Sequence, residues 1–269
     1  MIRSRLALAA LAFPSLASLP ASAQTSGDQA DANEPRRYRV ALGPQLVPSY
    51  PGADRHSLRP FVDVSVTRGS KPFEFEAPDE SFGLSLLRSR GFEAGPALNI
   101  EGRRTREEVG ADLDEVGTTV EVGGYAQYWL TPGLRFRAEA RKGIGGHKGW
   151  VGNVGADLVA RDGDRWLVSL GPRLTLADAL YQRTFFGVNP REAAATGLPA
   201  FSPESGVNAV GATAGAIYQL SPRWGLQGYA KYDRLVSDAS RSPAVRAFGS
   251  RDQFSGGLAL SYTFGRGVR

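Results

Sequence analysis

Between Leu134 and Arg141 the chain reads LRFRAEAR. Successive side chains of an extended strand point to opposite faces, so Leu134, Phe136, Ala138 and Ala140 share one side while Arg135, Arg137, Glu139 and Arg141 share the other. On a helix the same charges would be spread around the surface. The alternation recurs in TVEVGGYAQYWL, where Val120, Val122, Ala126 and Tyr128 oppose Glu121 and Gln127. In WLVSLGPRLTL, Trp166, Val168, Leu170 and Leu174 oppose Ser169, Arg173 and Thr175. In WGLQGYAKYD, Trp224, Leu226, Ala230 and Tyr232 oppose Gln227, Lys231 and Asp233. The last such segment, FSGGLALSYTF, groups Phe254, Leu258, Leu260, Tyr262 and Phe264. Each is roughly ten residues long, the length a tilted strand needs to cross the hydrocarbon layer.

Counting these segments gives about twelve strands, an even number as single-chain bacterial barrels require. Their spans are 38–47, 57–67, 71–76, 81–87, 91–101, 118–130, 134–142, 150–160, 166–177, 208–220, 223–234 and 254–264. Without the pair between 71 and 87 the count is ten. Alternate connections are tight turns, as at Arg68, Arg88, Thr131, Arg161 and Ser221, whereas 101–117, 176–207 and 234–253 are long. Short periplasmic turns alternating with long outer loops are the asymmetry of outer-membrane barrels. The fold expected is therefore all-β, a transmembrane antiparallel up-and-down barrel with both ends of the barrel chain in the periplasm.

No apolar stretch beyond the first residues is long enough to span as a helix, while glycine (33), phenylalanine (13) and tyrosine (9) abound. Lipid offers no partners to backbone polar groups, and a closed barrel is the other spanning solution. Tyr128, Trp129, Trp166 and Trp224 abut the short turns, and Tyr262 and Phe264 close the last strand, which predicts an aromatic girdle at the periplasmic interface.

The opening MIRSRLALAALAFPSLASLPASA carries two arginines, an apolar run broken by Pro14 and Pro20, and a small-residue pattern at Ala21, Ser22 and Ala23. This predicts a signal peptide over 1–23 cleaved before Gln24, a flexible periplasmic tail over 24–37 and a barrel over 38–269, placed in the outer membrane of a Gram-negative cell. Loss of Arg3 and Arg5 lowers the formal charge from +5 to +3, and the remaining basic residues are not clustered, which argues against nucleic acid. There is no cysteine for a disulfide, a thiolate metal site or a lipid-modified N-terminus.

From Tyr181 to Val207 the chain reads YQRTFFGVNPREAAATGLPAFSPESGV. This segment, with YPGAD at 50–54, GGYAQYWLTPGLRFRAEAR and GGHKGW, resembles the MipA/OmpV family of outer-membrane proteins across essentially the whole mature chain. The family pattern falls here on Tyr181, Phe185, Phe186, Gly187, Val188, Gly197, Leu198, Pro199 and Gly206. Phe185 replaces the commoner tyrosine, Thr196 the commoner serine, and Lys148 interrupts the small residues after His147. The resemblance implies a non-enzymatic envelope scaffold, after a name-giving member that joins murein-hydrolysing and murein-synthesising enzymes. The C-terminal GLALSYTF is similar to the signal read by the barrel-assembly machinery, with Gly257, Leu260, Tyr262 and Phe264 in its alternation and GRGVR following. Expected partners are thus outer-membrane lipid and lipopolysaccharide, the assembly machinery and murein enzymes.

Catalytic chemistry is poorly represented. The two histidines, His56 and His147, read as loop residues, and neither a G-x-S-x-G elbow nor an H-E-x-x-H helix occurs. Asp112, Asp114 and Glu115 could meet a hard cation, but their spacing completes no oxygen cage and reads as a solvated acidic loop. No catalytic residue, cofactor or metal is expected. The inward faces carry both signs, with Arg135, Arg137, Arg141, Arg173 and Lys231 beside Glu93, Glu121, Glu139, Asp157 and Asp233. Opposite charges can pair and close a lumen, whereas selective pores favour rings of one sign. The expectation is structural ion pairing, with a narrow polar channel, water-filled or plugged by a long loop such as 176–207, left open. A small-solute channel is the alternative, and an outer-membrane hydrolase comes third.

Overall fold

Ten strands of ten to fourteen residues make the wall: β1 (Arg36–Pro48), β2 (His56–Arg68), β5 (Phe92–Glu101), β6 (Thr119–Thr131), β7 (Leu134–Gly145), β8 (Trp150–Asp162), β9 (Trp166–Ala177), β10 (Gly206–Gln219), β11 (Trp224–Leu235) and β12 (Asp252–Gly265). Two short ones, β3 (Phe82–Gly83) and β4 (Leu87–Ser89), bring the total among the described residues to twelve. This is a computed structural model, and it describes residues 34–265. The expected signal peptide, and the expected tail up to residue 33, lie outside the described residues.

All neighbours are antiparallel, in the order β2-β1-β12-β11-β10-β9-β8-β7-β6-β5-β3, with β4 also on β5. The first and last long strands pair in register, Tyr38 opposite Phe264 and Leu42 opposite Leu260, so the sheet curls on itself. No ladder joins β2 to β3 or β5 among the described residues.

The alternation read from the sequence sets the faces. On β7, Phe136 keeps 46% of its surface exposed while neighbouring Arg135 keeps 0%. Leu42, Val64, Leu170, Leu226, Leu258 and Leu260 likewise face outward, and the buried set is rich in charged and polar groups. That is the inverse of a water-soluble core and what a lipid-facing wall requires. No helix among the described residues is long and apolar enough to cross a membrane.

Two expectations need correction here. Residues 71–76 form no strand, and 81–87 supplies only β3 and the start of β4. The FEFEA alternation is real, but Pro72 and Pro78 bracket it and deny a ladder two donors. The segment instead runs inside the barrel with Phe73, Phe75 and Ala77 buried. The girdle is also incomplete: Tyr128, Trp224 and Phe264 are exposed at the short-turn end, but Trp129 meets Phe75 edge-on at 6.1 Å.

The long-loop end carries five short helices: α1 (Arg106–Val109), α2 (Ala179–Phe186), α3 (Pro190–Thr196), α4 (Ser237–Arg241) and α5 (Pro243–Phe248). Local signals set their ends. Asn189 and Glu192 form a reciprocal capping box ahead of α3, Pro190 opens it, and Gly197 closes it in the left-handed region at φ 74°. Phe185, Phe186 and Tyr181 of α2 bury against Val116, Val151, Leu235 and Val245. The 176–207 connection therefore forms a cap over the long-loop end. Its apolar side chains find each other there, while residues 72–81 meet the charges within.

Candidate functional site

The centre of the barrel is a charged network spanning several strands. Arg135 on β7 has a fully buried side chain and bonds Asp157 on β8 at 2.7 Å, Gln127 on β6 at 3.2 Å and Glu80 of the internal segment. Arg137 bonds Glu139 at 2.7 Å and lies over the Tyr125 ring at 3.9 Å. Arg141 bonds Glu121 at 2.9 Å and also pairs with Glu139. Arg173 on β9 bonds Asp157 at 2.7 Å and Asp79 at 3.0 Å, and Lys231 on β11 lies between Asp79 at 3.3 Å and Asp233 at 3.0 Å. The ten charges read from the sequence as inward each take part in an ion pair, Glu93 through Arg88 at 3.2 Å.

Three consecutive residues of the internal segment fasten it to this network. Asp79 accepts from Arg173 and from the Thr213 hydroxyl at 2.8 Å, Glu80 meets Arg135, and the Ser81 hydroxyl donates to Glu139 at 2.6 Å. Burial alone would push the Asp79 carboxyl up, but Lys231 and Arg173 outweigh it and hold it at about 2. Lower down, Phe73 lies under Arg39 at 4.5 Å, and its backbone N–H donates to Asp164 at 2.8 Å. Phe75 lies under Arg135 at 4.4 Å. Residues 72–81 are thus pinned by cation–π contacts, ion pairs and hydrogen bonds. The sequence carried the signal in PDES, three polar side chains after a proline, though nothing in its spacing named the arginines they meet.

Between this segment and the cap lies a chamber of about 340 Å³, lined by polar groups including Asn99, Glu121, Lys231 and Asp233, with Pro78 and Asp79 on one side and Tyr50 and Tyr181 on the other. Asn208 Oδ1 and Asp233 Oδ1, both on its lining, are buried without a hydrogen-bond partner.

His147 lies in the β7–β8 loop as expected, but it is buried and not at the surface. Its side chain is fully buried, Gly149 N–H donates to Nδ1 at 3.2 Å, and Nε2 therefore carries the proton and donates to Glu121 at 2.9 Å. Its ring meets Tyr181 at 4.9 Å and Phe185 at 5.9 Å, which links the wall to α2. His56 opens β2, exposed, with Nε2 3.0 Å from the Phe254 carbonyl.

The family-pattern residues gather in the cap. Tyr181, Phe185, Phe186 and Val188 are buried, Arg104 donates to the Phe185 carbonyl at 2.9 Å, and Val188 pairs with Phe201. Leu198 packs beside Val188, Pro199 follows it, Gly187 ends α2, and Gly206 begins β10. Asp112 and Asp114 pair with Arg106 and Arg191, while Glu115 accepts from the Arg106 backbone at 3.5 Å. No cluster of metal-ligating residues occurs among the described residues. Leu260, Tyr262 and Phe264 lie on the outward face of β12 and Gly257 on its inward face, flanked by β1 and β11.

A family model described as MltA-interacting protein MipA matches residues 40–264. No curated protein is similar at a significant level. Among solved structures, Salmonella typhi OmpF in complex with daunomycin is similar at 12% identity and TM-score 0.33, over 76% of this chain and 50% of that one. The chain spans half the length of that protein. Neisserial surface protein A is similar at 11% identity and TM-score 0.25, over 85% and 95%. The CymD monoaromatic hydrocarbon channel is similar at 10% identity and TM-score 0.35, over 86% and 88%. Likenesses this distant carry nothing about cargo or partner.

Proposed function

Because this chain belongs to the MipA family and is an outer-membrane β-barrel, we propose that it is a non-enzymatic envelope scaffold, a barrel with an occupied lumen that holds a murein-acting enzyme at the membrane. The family's printed name, MltA-interacting protein, supports a partner of that kind. The observation that carries the reading is the internal segment: Asp79, Glu80 and Ser81 tie it to β7, β9 and β11 by buried ion pairs and hydrogen bonds. A pore needs a continuous wet path, and this segment lies in the lumen with Asp79 and Glu80 already paired to the wall. At the short-turn rim Arg90 and Arg223 are exposed while Arg165 pairs with Asp162, and with that rim in the periplasm the two arginines would suit a partner with an acidic face.

A second reading, a gated small-solute channel, is favoured by the chamber of about 340 Å³, whose unpartnered Asn208 and Asp233 oxygens could receive a solute's donors. Two measurements separate the readings. Capture from crosslinked envelopes is expected to recover a murein hydrolase or synthase, and planar bilayers are expected to stay near baseline. A large, steady conductance from the unmodified protein, with no murein enzyme captured, would overturn the scaffold.

A further inference from the structure

Two cavities lie back to back where β1, β11 and β12 meet. On the outward face is an apolar groove of about 640 Å³, walled by Leu46, Leu58, Phe254 and Leu258. On the inward face is the polar chamber, and Gln45, Tyr229 and Ser255 line both spaces. The groove is within the ~300–1,000 Å³ typical of small-molecule sites.

The wall is thin there because two consecutive residues have no side chain. Gly257 is in register with Gln45 on one side and Tyr229 on the other, and a Cβ on it would come within 2.9 Å of both. Its absence lets the Tyr229 hydroxyl donate across to Gln45 Oε1. Gly256, next along, lies on the outward row between Leu46 and Ala230, where it leaves the groove floor bare. The β1–β12 ladder also ends at Leu46 and Gly256 although both strands continue, and His56 of β2 reaches over to the Phe254 carbonyl.

We propose that this is a lateral binding site for a single-chain amphiphile of the fatty-acid class, with its hydrocarbon chain in the groove and its polar end on Tyr229, Gln45 and Ser255. The occupant follows from position. The groove opens on the membrane-facing surface, so hydrocarbon is what adjoins it. Tyr229 and Gln45 are bonded to each other and Gln45 Nε2 donates to the Pro60 carbonyl at 2.8 Å, so what the floor still offers is Ser255 and the remaining lone pairs and second amide proton of that pair, which an ordinary acyl chain cannot use and an amphiphile's head can. One chain is favoured because the bare floor is centred on a single outward glycine. Two hydroxyls and an amide suit a carboxyl or alcohol head, which both donates and accepts. Such a site is independent of the scaffold role and could coexist with a silent lumen.

The test uses the full mature chain in phosphatidylcholine vesicles with a diazirine-bearing dodecanoic acid as the probe. After irradiation, mass spectrometry is expected to find label concentrated on peptides containing 44–46 and 254–258, at least five-fold above lipid-facing residues of β6 and β7. Unlabelled dodecanoic acid should compete at least ten-fold better than dodecane. Gly256→Leu, which fills the floor, should lower label at those peptides five-fold without changing it on β6 and β7. Tyr229→Phe, which keeps the groove and removes one hydroxyl, should weaken competition by the acid several-fold and leave that by dodecane unchanged. Each variant is first checked for a heat-shifted barrel band, and Tyr229→Phe alone decides if Gly256→Leu fails to insert. Even labelling over all lipid-facing strands, or equal competition by acid and alkane, would overturn the site.

Discussion

The Asp79 carboxylate lies 3.0 Å from Arg173 although 94 residues separate them, and this pair ties the internal segment to the wall. Asp79→Asn removes the charge shared by Arg173 and Lys231 and keeps the side chain's size. Leaving a buried ion uncompensated costs about 3–5 kcal/mol, and the partial accessibility of Lys231 argues for the lower end. The double change Asp79→Asn with Glu80→Gln should therefore yield intermittent conductance in planar bilayers where the unmodified protein gives almost none. Unchanged silence, with the heat-shifted band intact, would show that the aromatic contacts of Phe73 and Phe75 suffice to hold the segment.

Acid should release the same contact. The Asp79 carboxyl is held at about 2 against an ordinary value of 3.8, so the folded state binds its proton more weakly than the unfolded state does. Its stabilisation is complete above the unfolded value and is lost as pH falls through about 2. Channel activity that depends on this group should appear only below roughly pH 4 and grow toward pH 2, and Asp79→Asn should abolish that step. Onset near pH 6 would assign the effect to a different group.

Depth in the wall gives a third expectation. Ala138 faces outward on β7 between the inward Arg137 and Glu139, so Ala138→Arg places a charge against hydrocarbon at a cost of about 2–4 kcal/mol near the midplane. Arg137→Ala removes an inward group that stacks on Tyr125 and bonds Glu139, leaving the wall apolar. Folding yield into vesicles should fall sharply for Ala138→Arg and mildly for Arg137→Ala. The opposite order would mean that β7 presents its other face to lipid.

What the sequence made legible follows from which interactions are local. LRFRAEAR specifies its own two faces because a strand's side-chain period is two, and the β6, β9, β11 and β12 patterns were readable for the same reason. FEFEA shows the same period and yet forms no strand, because its prolines and its fit under Arg39 and Arg135 decide its place. Those arginines lie 34 and 60 residues from the phenylalanines they cover, beyond the reach of any periodicity. The burial of His147, though not its place in a loop, was illegible for a related reason. Nothing in GGHKGW reveals that Glu121 and Tyr181, on separate elements, enclose its ring.

His147 should therefore couple the wall to the cap. Its ring satisfies Glu121 on β6 and packs beside Tyr181 and Phe185 of α2, so His147→Ala removes a hydrogen bond and opens a void under the helix. Loss of a buried hydrogen bond to a charged group costs about 1.5–3 kcal/mol, and the void adds to it. That cost falls on the junction with α2, while the ladders on either side of β7 stay complete. Limited proteolysis from the outer face should thus cut the 177–206 connection at least several-fold faster in His147→Ala, while the heat-shifted barrel band persists. His147→Gln, which can still donate to Glu121 but cannot replace the ring, should fall between the two. Protection equal to the unmodified protein in both variants would show that α2 is held by its contacts with Val116, Leu235 and Val245 alone, and that the histidine serves only the wall.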